Sequence, residues 1–255
     1  MDDATSPHAG PIGSAFYAHP RFLHQRQWRD WWTVLHPPYT MLHLSLVIIG
    51  ACLAGPVNAV HLVATLVAFF LALGLGAHSL DELKGRPLGT NIPTAQLVVA
   101  ASLGLGGAVA LGVAGMFLVS PFLAVFIAVG ALIAVAYNLE LWGGRLHTRL
   151  VLILGWGGFP VLTAYFAQHA SLSIASIFAA MFGVLITLIQ QQLSTPAREL
   201  RRRTSSVDGR ILRADGTSTS LDRDVILLPL EGALKTLCWS GVAIAAALLC
   251  VRFIA

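Results

Sequence analysis

Charge is what this chain has least of: Asp, Glu, Lys and Arg make up only 11% of its 255 residues, against roughly a quarter in an ordinary soluble domain. With 56% hydrophobic residues and a mean hydropathy of +0.75, a water-soluble globule, a disordered segment, a collagen-like chain and a nucleic-acid reader are all excluded. Cysteine is nearly absent. Cys52, Cys238 and Cys250 stand in apolar surroundings without C-x-x-C spacing, which excludes a disulfide framework and a cysteine zinc site and leaves small buried thiols. A cleavable signal peptide is not expected, because residues 1–35 hold Asp2, Asp3, three arginines and scattered polar groups instead of an apolar core of the needed length.

What the chain has in abundance is apolar length. Stretches at 36–55, 57–79, 93–114, 116–137, 147–169, 171–193 and 229–254 each approach the ~20 residues a helix needs to cross the hydrocarbon core. The expected fold is all-α, a polytopic transmembrane helical bundle of about seven spans. Gly55-Pro56, Gly85-Arg86-Pro87, Pro93, Ser120-Pro121 and Gly143-Gly144 punctuate it. The chain divides into an interfacial segment 1–35, a six-span core 36–193, a polar cytoplasmic loop 194–228 and a last transmembrane helix 229–255. In the first segment Trp28, Trp31 and Trp32 alternate with Arg26, Arg29 and His36, the composition of a helix lying at a membrane interface. In the loop, Asp208-Gly209 and Asp215-Gly216 mark turns and a short hairpin. Fourteen of the 16 Lys and Arg residues fall on one side of this topology, so the positive-inside rule places the N-terminus and that face in the cytoplasm.

Ionisable residues are costly near hydrocarbon depth, so those at the span ends are the candidates for function. Three clusters share the basic face. The first, His78 to Pro87, sets His78 and Glu82 one helical turn apart with Asp81 beside them. Its two carboxylates can hold Mg²⁺ while Lys84 and Arg86 meet phosphate oxygens, or the acids can pair with those cations. The second sets Tyr137, Asn138 and Glu140 opposite Arg145, His147 and Arg149, as a phosphate clamp or as membrane-interface decoration. The third runs Gln190-Gln191-Gln192 to Thr195, Arg198, Glu199 and Arg201, with amides that suit a ligand hydroxyl or carbonyl, or a neighbouring helix. His78, Glu82, Glu140 and His147 could also form a metal site, although nothing in their spacing demands it. His43, His61 and His169 are isolated and read as hydrogen-bonded structural groups.

Four blocks together resemble the UbiA-type intramembrane prenyltransferases, over about Trp31 to Arg203. They are Leu35-His36-Pro37-Pro38-Tyr39-Thr40, Asp81 through Arg86-Pro87-Leu88 with Ile92-Pro93, Tyr137-Asn138, and Gly155-Trp156-Gly157-Gly158-Phe159-Pro160. The resemblance implies transfer of an isoprenyl group from a diphosphate donor to a lipophilic or aromatic acceptor in the bilayer, with Mg²⁺ as cofactor. By that likeness Asp81 and Glu82 bind metal and act in catalysis with Tyr137. Lys84, Arg86, Arg145, Arg198 and Arg201 meet the diphosphate, and His78, Asn138 and Gln191 meet the acceptor. Two departures stand out. The second aspartate-rich motif of the family is replaced by Gln190-Gln191-Gln192 through Arg198-Glu199, and only one span follows it where the family has about three. A second expectation is therefore a UbiA-like membrane subunit that binds lipid or a partner, another membrane protein or a second copy, without turnover.

Overall fold

The computed structural model describes residues 23–254; the rest of the interfacial segment, with Arg21, lies outside the described residues. Six helices are long and apolar enough to cross a membrane, and the chain is a multi-pass integral membrane protein built as a helical bundle. Helix α1 (Arg26–Leu35) ends at His36, which is left-handed at φ 45° and ψ 57°, because the ring of Pro37 disfavours the helical conformation in the residue before it. Pro37 and Pro38 then fill the first turn of α2 (Pro37–Leu53), where their missing N–H groups have no partner to lose. Besides a short helical turn at Leu141–Gly144, the remaining helices are α3 (Ala59–Leu83), α4 (Thr94–Leu118), α5 (Leu123–Asn138), α6 (Arg149–His169), α7 (Ile174–Arg202) and α8 (Arg223–Phe253). Asn58 caps α3, Ser173 closes a reciprocal capping box with Ser176 on α7, and Asp222 caps α8.

Two boundaries differ from the sequence reading. The expected fourth span, 116–137, loses its start to the end of α4 and to the turn at Ser120-Pro121, leaving α5 with 16 residues. That is about 24 Å of helix, short of the ~30 Å hydrocarbon core. The expected loop 194–228 is also shorter, since α7 continues through Pro196 to Arg202. The reason is packing: Leu193, Ala197 and Leu200 recur at helical spacing and meet Leu227, Leu230 and Leu234 of α8. Between the two helices lies an antiparallel hairpin, β1 (Arg210–Leu212) with β2 (Ser218–Ser220). Its turn is fixed by the Asp215 carboxylate, which accepts from the hydroxyl and N–H of Thr217 at 2.7 and 2.9 Å and is held below the usual carboxylate range by those bonds.

Helix α2 is the central strut, packing on α8 and on the Phe159–His169 half of α6. Leu46, Ile49, Val161, Ala179, Ala180 and Ala245 form one buried cluster around it. Two helices widen into π-helical turns, α3 at Phe70–Ala77 and α6 at Ile153–Gly158, both rich in glycine. Each π segment meets the next helix almost backbone to backbone. A Cβ at Gly157 would come within 2.5 Å of the Gly183 carbonyl oxygen, and one at Gly104 within 2.6 Å of the Leu71 carbonyl. Small residues permit this approach, the usual basis of helix association in lipid.

Candidate functional site

A polar cavity of about 400 Å³ lies at the end of the bundle that carries the basic residues, next to the two π segments in the chain. π turns are frequent at functional sites because they re-aim the side chains beyond them. Here the α3 segment is followed directly by His78 and Asp81, and the α6 segment carries Trp156. Both His78 and Asp81 line the cavity. Tyr137 lies between two rings, stacked on His147 at 4.3 Å and tilted against Trp156 at 4.8 Å between centroids. His147 donates Nδ1–H to the Tyr137 carbonyl at 3.0 Å, and His43 donates Nδ1–H to the Trp156 carbonyl at 2.9 Å. His36 and His78 face each other at 4.9 Å between centroids. Asn138 donates to the Ala134 carbonyl at 2.6 Å, which leaves its amide oxygen for another partner. On α7, Thr187 Oγ1 and Gln191 Oε1 are buried with no hydrogen-bond partner among the described residues. One turn apart on the cavity wall, they mark a place for a ligand oxygen or nitrogen, or for water.

Of the residues singled out from the sequence, His78, Asp81, Tyr137, Asn138, His147, Arg149, Gln190, Gln191, Arg198 and Arg201 line this cavity. Glu82 does not. It is wholly buried, and its carboxylate accepts from Leu88 N–H at 2.9 Å and from the N–H and hydroxyl of Thr90 at 2.9 and 2.7 Å. Arg86 is also turned to the loop, donating to the Ile92 carbonyl at 2.6 Å and to Thr94 Oγ1 at 2.9 Å. Lys84 lies outside the cavity, 3.8 Å from Glu140 at the surface, and Arg145 is exposed and away from it. Arg201 is committed within the protein: Nε pairs with Glu231 Oε1, and a terminal nitrogen meets Oε2 at 2.6 Å.

The donor set does not fit the expected two-carboxylate Mg²⁺ site. Asp81 stands in the cavity while the oxygens of Glu82 are taken by the loop, and among the described residues no three His, Cys, Asp or Glu side chains are grouped to hold a metal. The His78, Glu82, Glu140 and His147 grouping is likewise not assembled. Sequence reasoning passed over His43, Trp156, Arg202 and Glu231 as site residues, all of which line the cavity. Only Glu231 carried a signal, as a carboxylate inside an apolar stretch.

A second, apolar cavity of about 290 Å³ lies between α3, α4, α5 and α6. Its walls are small residues such as Ala68, Ala72, Ala108 and Gly112, with Phe126 and Phe159. Trp156 lines both cavities. Comparison with protein-family models, with curated proteins and with solved structures finds no match for this chain.

Proposed function

We propose that this protein is an intramembrane transferase that moves an isoprenyl group from its diphosphate to a lipophilic or aromatic acceptor, with the polar mouth facing the cytoplasm. The observation that carries this reading is the pairing of the cavities. A cationic, hydrogen-bonding chamber and an apolar chamber share Trp156 as a lining residue, a pairing that suits a substrate with an anionic head and a hydrocarbon tail. In the reaction the bond between the allylic carbon and the bridging oxygen breaks, and its electron pair leaves on the diphosphate. Arg198 and Arg202 meet that developing charge, an electrostatic contribution that is often the largest single one in catalysis. Tyr137 and Trp156 present ring faces to the allylic cation. The acceptor, oriented by Asn138, Thr187 and Gln191, bonds to the same carbon and releases its proton to Asp81.

One observation favours the second reading, a lipid-binding subunit without turnover: the carboxylate of Glu82, implied in catalysis by the resemblance, is spent on the loop. The two readings part in one assay. Purified protein in nanodiscs is given a labelled isoprenyl diphosphate and a panel of phenolic and quinol acceptors. Labelled product with release of diphosphate supports the transferase, and tight donor binding without product supports the subunit.

A further inference from the structure

We infer that the polar cavity binds its phosphate-type head group on guanidinium groups alone, without a divalent cation. The inference rests on the proposed anionic ligand and deepens it. Four arginines line the cavity, Arg149, Arg198, Arg201 and Arg202, against two carboxylates, Asp81 and Glu231. Arg201 and Glu231 neutralise one another. Arg149, Arg198 and Arg202 have no carboxylate within ion-pair distance among the described residues, so they outnumber the remaining acid, Asp81, by two charges. Arg198 and Arg202 are four apart on α7 and share a helix face, while Arg149 approaches from the first turn of α6.

A fork of guanidinium donors matches phosphate oxygens two at a time. A divalent cation, by contrast, needs several oxygen ligands from the protein or its substrate, and Asp81 is the one carboxylate left to supply them. Adding a divalent ion would also place two further positive charges beside an uncompensated pair. Asp81 opposes the anion, and the three arginines Arg149, Arg198 and Arg202 on the same cavity wall outweigh it.

The test uses full-length protein in nanodiscs of neutral lipid, checked as monodisperse and folded. A fluorescent C15 diphosphate is titrated with EDTA and again with Mg²⁺, and inorganic diphosphate and phosphatidic acid serve as competitors. The expected affinity differs by less than about threefold between EDTA and Mg²⁺. R198A and R202A each lose about tenfold, the lysine variants lose less, and D81N binds several-fold more tightly in EDTA. Binding that needs Mg²⁺ and disappears in D81N would overturn the inference while leaving the donor reading in place. No binding in either condition would overturn both. Competition by phosphatidic acid but not by inorganic diphosphate would sustain the metal-free site and assign it to a lipid head group instead of the donor.

Discussion

Asp81 and Glu82 are neighbours of the same charge, and the fold gives them opposite uses. Successive residues on a helix point about 100° apart, so one carboxylate reaches the cavity while the other turns to the 84–93 loop. The sequence spacing announces two acids at a span end and contains nothing that divides them, because the partners of Glu82 are mainly backbone N–H groups of Leu88 and Thr90. Arg86 was similarly illegible, since its acceptors are the carbonyl of Ile92 and the hydroxyl of Thr94. The division has a measurable consequence. E82A strands three donors and should cost about 3 kcal/mol, seen as a lowered thermal unfolding midpoint in detergent. D81N, on a half-buried residue facing the cavity, should cost under about 1 kcal/mol. Equal destabilisation by the two substitutions would contradict this assignment.

Among the elements, long apolar helices were legible and their irregularities were not. Hydropathy marks where a helix is stable in lipid, but it does not report the π turns in α3 and α6, which depend on how glycines meet the facing backbone. The extension of α7 to Arg202 was hidden by the polar composition of 194–202, although Leu193, Ala197 and Leu200 give it a packed stripe. That extension brings Arg201 against Glu231 and ties α7 to α8. Both charges are largely buried, with side chains 15% and 11% exposed, so each relies on the other. R201A or E231A alone should destabilise the fold by about 3 kcal/mol, because a charge is left without its partner. The double substitution R201M/E231L should recover most of that loss. A double variant as unstable as either single one would show that the pair does more than neutralise.

For the whole molecule, the basic residues that gave the orientation from sequence lie at the same end as the polar cavity, with the β1–β2 hairpin beside it. The short turns 54–58, 119–122 and 170–173 close the other end. Reporter fusions should read cytoplasmic after Gly89, Gly144 and Gly209 and external after Gly55, Gly115 and His169, with α5 crossing despite its 16 residues. A cytoplasmic signal at His169 would sink that topology. The adjacency of the two cavities at Trp156 was not readable in advance, since their walls bring together residues of seven helices, α2 to α8, that are far apart in the chain. It is best tested by comparing the affinities of a C15 diphosphate and of inorganic diphosphate in wild type and in A108F, a substitution that fills the apolar chamber. In wild type the tail should add about 100-fold in affinity. A108F should lose most of that gain and keep its affinity for inorganic diphosphate. A folded A108F protein that binds both ligands as wild type does would contradict a single site running from the arginines past Trp156.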